Sequence, residues 1–356
     1  MKFGTDGVRG IANVDLTAEF ALQLGRATAR VLAPRGSSID AVIGGDTRRS
    51  TPMLSAAFAA GLAAEGVTVH LLGVVPTPAV AFEANRRQSI GAVVSASHNP
   101  YRDNGIKIFA RGGRKLPDAI EAEIEAMAGS LPPADGECGA IVSDRDLTPY
   151  VDHLVGVLDG RTLDGLRIVL DAANGAASGL AGDVFTRLGA DVVAIHGDPD
   201  GRNINADCGA TATASLAAAV VAEGADLGLA FDGDADRLIA VDGSGGVVDG
   251  DHVLAICAID LRHRGLLDND TVVVTVMSNL GFRLAMEAAD VNVEVTPVGD
   301  RYVLEAIDAG GHSLGGEQSG HVIFRQWAST GDGMLTGLML ADIVARSGRS
   351  LAELAV

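Results

Sequence analysis

The reactive side chains of this sequence gather in a few short segments. One runs from Ile90 to Phe109, IGAVVSASHNPYRDNGIKIF, where a buried-type apolar run passes into a loop holding Ser97, His98 and Asn99 and returns to an apolar run bearing Lys107. A serine hydroxyl can carry a phosphoryl group covalently when cations and a metal stabilise the charge and a base handles the proton. The same residues also suit a strand-ending turn whose side chains cap backbone groups. Ser97 and His98 do not read as a Ser-His pair, because consecutive side chains point apart. Lys107 is the better proton-transfer group, with a solvated strand lysine as its plain alternative.

A second segment, GLAFDGDADR, is an apolar strand ending in three alternating carboxylates, Asp232, Asp234 and Asp236. Three oxygen ligands converging on one point suit a hard cation such as magnesium, which leaves positions to water or phosphate oxygens. Without a cation such carboxylates repel one another. An EF-hand is excluded: counted from Asp232, the sixth residue is Arg237 where glycine is needed, and the twelfth is Gly243 where glutamate is needed. Arg237 offers a fixed fork for a phosphate oxygen or, equally, an ion pair to one of these aspartates.

Two more loops complete the set. LGGEQSGH spaces Glu317, Ser319 and His321 two residues apart, and VGDRY adds Asp300 and Arg301. A carboxylate and a hydroxyl on one side of a loop match what sugar hydroxyls require, although a hairpin turn with incidental polar residues reads the same way. FGTDGVRG at the N-terminus sets Arg9 in a glycine-rich loop where amides and a guanidinium can meet a phosphate. Neither G-x-G-x-x-G nor the P-loop pattern occurs.

The elements that must position these loops recur. Apolar β-branched run, polar turn, helical-period stretch and second apolar run follow one another near Ala41, near Arg167 and near Thr271, which predicts three β-α-β units. Their spacing predicts an α/β fold of three related tandem domains, at 1–146, 147–246 and 247–356. Boundaries fall after the Pro- and Gly-rich LPPADGECGA loop and in the DGSGG turn. At 356 residues each domain can bury its own core.

Bulk properties narrow the function. A net charge of -19 argues against nucleic acid as a partner, so an anionic small substrate requires local cations or a metal to reverse the field. Three scattered cysteines without a Cys-x-x-Cys pair suggest neither a disulfide framework nor a zinc site, which fits a reducing, cytoplasmic setting. The apolar stretches are too short and broken for a membrane span.

Taken together and in order, FGTDGVRG, SASHNP, DGDADR and GEQSGH resemble the signature loops of the α-D-phosphohexomutase superfamily, over Phe3 to at least His321. GDRYV and Gln318 within GEQSGH are most similar to the bacterial phosphoglucosamine mutase branch; mannose and glucose mutases of the superfamily carry Met in place of Gln318. The resemblance implies mixed-sheet α/β domains and a phosphoryl group on Ser97. It also implies magnesium held by that phosphoserine with Asp232, Asp234 and Asp236, and sugar hydroxyls on Glu317 and Ser319. Arg9, Lys107, His98 and His321 then serve proton transfer or charge stabilisation, and Arg237, Asp300 and Arg301 meet the substrate. The implied reaction interconverts glucosamine 6-phosphate and glucosamine 1-phosphate, a precursor of cell-wall amino sugars, through glucosamine 1,6-bisphosphate. Members of the family often dimerise.

One departure stands out. Family members carry a fourth domain with an R-x-S-G-T-x-P-like loop for the remote phosphate, and no Ser-Gly-Thr occurs before the sequence stops at Val356. The expectation is a chain lacking that C-terminal domain, which folds and binds magnesium with strongly reduced activity. Competing readings are a phosphomannomutase or phosphoglucomutase, a non-catalytic sugar-phosphate-binding fragment, and an aspartyl-phosphate phosphatase with Asp232 as nucleophile.

Overall fold

The computed structural model describes residues 4, 7–34 and 36–355, so Phe3, Thr5 and Asp6 of the FGTDGVRG segment lie outside the described residues. The chain divides into two compact units, residues 1–150 with 199–204, and residues 151–198 with 205–356.

The first unit runs β1 (Val8–Ile11), α1 (Ala18–Leu32), β2 (Ala41–Gly45), α2 (Thr51–Ala64), β3 (Val69–Val74), α3 (Thr77–Arg87), β4 (Ile90–Val94), β5 (Asp103–Ala110), β6 (Arg114–Lys115), α4 (Asp118–Ala128) and β7 (Ile141–Ser143). Its sheet has the order β1-β5-β4-β2-β3-β7, with β6 on β5. β2 lies parallel between β3 and β4, and β5 returns antiparallel to both β4 and β1. The central strands AVIGG and IGAVV are buried throughout, as expected for strands covered on both faces. Thr17 starts α1 by accepting the Phe20 N–H at 3.2 Å. α1 then packs on α2 backbone to backbone: a Cβ at Gly25 would stand 2.2 Å from the Phe58 carbonyl oxygen, and one at Gly61 2.2 Å from that of Leu22. Leu24, Leu54, Phe58, Leu62 and Ile43 fill the core beneath.

α5 (Thr148–Gly156) leads into the second unit, which holds two sheets. β8 (Arg167–Asp171), α6 (Ala181–Arg187), β9 (Asp191–Ile195), α7 (Ala214–Glu223), β10 (Leu227–Phe231), β11 (Leu238–Asp242) and β12 (Val247–Val248) give a sheet of order β12-β11-β10-β8-β9. α8 (Gly250–His263) precedes β13 (Thr271–Thr275), α9 (Leu280–Ala288), β14 (Asn292–Thr296), α10 (Asp300–Gly310), β15 (Leu314–Gly316) and β16 (Val322–Phe324), ordered β14-β13-β15-β16. α11 (Gly333–Ser347) and the short α12 (Leu351–Leu354) follow. α11 is buried over most of its length, from Gly333 to Val344, and Asp332 caps it by accepting the Leu335 N–H.

The three β-α-β units read from the sequence are β2-α2-β3, β8-α6-β9 and β13-α9-β14, each closing a parallel pair. Among the described residues no helix is long and apolar enough to cross a membrane. The cysteines are free, Cys138 exposed and Cys208 and Cys257 buried.

Candidate active site

In the first unit the loop after β4 carries Ser97, 2% exposed and at φ 50. A side chain in this left-handed region costs roughly 1–2 kcal/mol and persists only where its surroundings over-determine it. Here they do. Ser97 N–H donates to Ser95 Oγ at 2.9 Å, and Ser95 Oγ donates to Asp46 Oδ2 at 2.5 Å. The buried Arg48 guanidinium donates to Asp46 Oδ2 and to the carbonyls of Ser97 and Asn99, each at 2.8 Å, and to that of Pro100 at 2.5 Å. Thr51 Oγ1 donates to Asp46 Oδ1 at 2.8 Å. The turn between β2 and α2 therefore moulds the serine loop from beneath. Sequence reasoning placed a β-α-β unit here but gave neither Asp46 nor Arg48 of the GGDTRRS turn a role. The signal was two opposite charges wedged between an apolar strand and a helix start.

Ser97 Oγ and His98 Nδ1 lie 3.5 Å apart, longer than a proton-transfer pair requires. Lys107 is 6% exposed and pairs across the sheet with Val93, while Arg9 pairs with Gly105. Residues two apart on a strand share a face, so Arg9 and Lys107 are diagonal neighbours on one face of β1 and β5.

In the second unit Asp232, Asp234 and Asp236 follow β10, all buried, and one oxygen of each lies within 4.8 Å of the others. Three hard carboxylate oxygens at that spacing, in a turn that holds a left-handed Ala235 (φ 56), fit a magnesium-class ion. Arg237 follows, its Nε 3.8 Å from Asp236 Oδ1. Burial works against its charge, but Asp236, Asp232, Asp234 and Glu317 outweigh burial and hold its pKa above the ordinary value.

The loop between β15 and β16 meets this turn. Leu238 N–H donates to the Gly320 carbonyl at 3.0 Å. Gly320 has φ +89, and a Cβ there would stand 2.1 Å from the Leu238 carbonyl oxygen, so no other residue fits. His321 is buried, with Nδ1 3.6 Å from Asp236 and Nε2 3.5 Å from Asp300, and Nε2 accepts the Gly331 N–H at 3.0 Å. Glu317 Oε1 accepts the Gly299 N–H at 3.1 Å, joining the VGDRY and GEQSGH loops. Ser319 Oγ is shielded from solvent and makes no hydrogen bond among the described residues. Asp300 and Arg301 open α10 beside them. Asp232, Asp234, Asp236, Arg237, Glu317, Ser319, Asp300, Arg301 and His321 are thus gathered within one unit, and Ser97, His98, Lys107 and Arg9 within the other.

Three family models match the chain: phosphoglucomutase/phosphomannomutase alpha/beta/alpha domain I over residues 1–132, domain II over 148–245 and domain III over 249–356. The chain is similar to the phosphoglucosamine mutase of Cutibacterium acnes, 54% identical over 99% of this chain and 80% of that one. It is also similar to that of Frankia casuarinae, 56% identical over 99% of this chain and 80% of the relative. Among solved structures it resembles a phosphoglucomutase/phosphomannomutase family protein from Burkholderia thailandensis, with a TM-score of 0.86, 30% identity, and coverage of 98% of this chain and 78% of the other.

Proposed function

Since the chain belongs to the phosphoglucomutase/phosphomannomutase family, and within it to the phosphoglucosamine mutases, we propose that it interconverts glucosamine 6-phosphate and glucosamine 1-phosphate through a phosphoserine at Ser97. The enzyme is an intramolecular phosphotransferase, an isomerase.

Phosphoryl transfer demands positioning and charge neutralisation more than covalent chemistry from the protein. Phosphorylated Ser97 donates its phosphoryl group to the free sugar hydroxyl: the Oγ–P bond breaks, the sugar O–P bond forms, and the hydroxyl proton passes to a base. Lys107, in its uncharged form, is the group we assign to that proton, and Arg9 beside it offsets the phosphate charge. The sugar 1,6-bisphosphate then turns over, and Ser97 takes back the other phosphate. No phosphate is consumed. Glu317 and Ser319 hold sugar hydroxyls, with Asp300 and Arg301 alongside and Arg237 directed to a phosphate oxygen. His321, buried against Asp236 and Asp300, positions these loops. Asp232, Asp234 and Asp236 would hold magnesium, which when bound supplies positive charge to phosphoryl oxygens.

The observation that carries this reading is the strained, buried Ser97 held by a closed set of hydrogen bonds around Arg48. An aspartyl phosphatase with Asp232 as nucleophile has no use for that arrangement. The test is phosphorus NMR of glucosamine 6-phosphate incubated with the chain, magnesium and a trace of the bisphosphate. Glucosamine 1-phosphate accumulates with the native chain and is absent with Ser97→Ala; equal turnover by the two refutes the serine route. Glucose and mannose 6-phosphates as rival substrates test the glucosamine preference.

A further inference from the structure

A second cluster lies under the carboxylate loop. Asp171 ends β8, His196 follows β9, and Cys208 opens a 3-10 turn at Gly209–Thr211. One atom each of the Asp171 carboxylate, the His196 ring and the Cys208 thiol lies within 4.8 Å of the others. Parallel pairing of β8 with β9, with Asp171 opposite Ile195, brings the first two together.

Asp171 and Cys208 are fully buried. Each Asp171 oxygen accepts one backbone N–H at 2.9 Å, from Ala173 and from Gly209, which fixes the carboxylate and leaves each oxygen a second lone pair. His196 Nδ1 is 3.1 Å from Asp171 Oδ1 and shielded from solvent, yet the pair lacks hydrogen-bond geometry and Nδ1 has no hydrogen-bond partner among the described residues. Two ligand atoms that share a tetrahedral ion stand roughly 3.3–3.6 Å apart along its edge, so the nitrogen and oxygen at 3.1 Å, which are not aligned for a hydrogen bond, need to part by only a few tenths of an ångström to share one. Asn174 Nδ2 donates to Cys208 Sγ at 3.8 Å, an outer contact of the sort that steadies a thiolate. The His196 side chain is 30% exposed, which leaves water a route to a fourth position.

We propose that Asp171, His196 and Cys208 form a site for a zinc-class divalent ion, completed by water. Oxygen, nitrogen and sulfur together select against magnesium, so the site is chemically separate from the all-oxygen set at Asp232, Asp234 and Asp236. Binding replaces the thiol S–H with a sulfur–metal bond, and the proton leaves to solvent buffer. The ion clasps the end of β8 to the connection between β9 and α7, and the loop after β8 supports the carboxylate turn: Ala176 N–H donates to the Gly233 carbonyl at 2.8 Å. The clasp therefore acts as a support for the magnesium loop and takes no part in the transfer step.

The test uses the full chain carrying Cys138→Ser, stripped of metal, saturated with magnesium and titrated with cobalt(II). We expect thiolate-to-cobalt charge-transfer absorption that saturates at one ion per chain and disappears on adding zinc. Cys208→Ser abolishes it, and His196→Asn weakens cobalt binding about tenfold or more. Absence of the band in the Cys138→Ser chain overturns the site, as does a band that survives Cys208→Ser. If Cys208→Ser does not fold, unchanged cobalt affinity in His196→Asn overturns it just as directly.

Discussion

Replacing Arg48 with methionine keeps most of the side-chain volume and removes every bond its guanidinium makes beneath the serine loop. Four acceptors each lose a donor: Asp46 Oδ2 and the carbonyls of Ser97, Asn99 and Pro100. The largest cost is Asp46, fully buried and left without its counter-charge; among the described residues Ser95, Thr51 and a backbone N–H still donate to it. Breaking one side of a buried ion pair costs about 3–5 kcal/mol. Local opening of the 95–105 segment should therefore become roughly 10²- to 10⁴-fold more frequent, at about 1.4 kcal/mol per decade. Hydrogen exchange followed by mass spectrometry on Gln88–Arg102 reads this ratio. Adding Asp46→Asn removes the orphaned charge, so Asp46→Asn/Arg48→Met should be more protected than Arg48→Met alone. Exchange accelerated less than tenfold, or a double variant whose losses simply add, refutes the view that Arg48 sets the loop.

Three other outcomes follow from the geometry. Asp234→Asn should weaken magnesium binding about tenfold or more by calorimetry and, with magnesium withheld, raise the melting temperature, because one of three mutually repelling buried carboxylates is gone. Gly320→Ala places a methyl against the Leu238 carbonyl at φ +89 and should cost about 2 kcal/mol or more in urea unfolding followed by Trp327, the single tryptophan. On acidification, Glu65 and Asp242 matter. Burial raises both, but the Arg30 and Arg26 side chains at Glu65, and the Ser244 hydroxyl with the Gly246 and Ser244 N–H groups at Asp242, outweigh it and leave both pKa values depressed. Each carboxylate therefore contributes stability that is full above its ordinary value, 4.5 or 3.8, and is lost as the pH falls through the lower folded value. Glu65→Gln and Asp242→Asn should flatten the acid limb of the melting-temperature profile.

Much of the scaffold was legible because β-branched runs and helical periods are local properties. AVIGG, RIVLD and TVVVT announce strands, and the helices between them follow from spacing. DGDADR and GEQSGH were legible as chemistry because several polar side chains sit within one turn. Asp46 and Arg48 were not, since their meaning comes from carbonyls about fifty residues later, reached when β4 pairs with β2. The Asp171, His196 and Cys208 set was hidden for a similar reason: pairing of β8 with β9 brings Asp171 to His196, and the connection after β9 returns Cys208 to them. The sequence reading accordingly saw no zinc site in the cysteine pattern. β6 and β7, two and three residues long, carry too little pattern to be read as strands.

The central claim is that Ser97 carries the phosphoryl group. It is tested most directly by mass spectrometry of the tryptic peptide Gln88–Arg102, QSIGAVVSASHNPYR, after the chain is incubated with glucosamine 1,6-bisphosphate and magnesium. The account predicts one phosphoryl group, placed by fragmentation on Ser97 and not on Ser89 or Ser95. An unmodified peptide, or acid-labile label on Asp232 in its place, contradicts it.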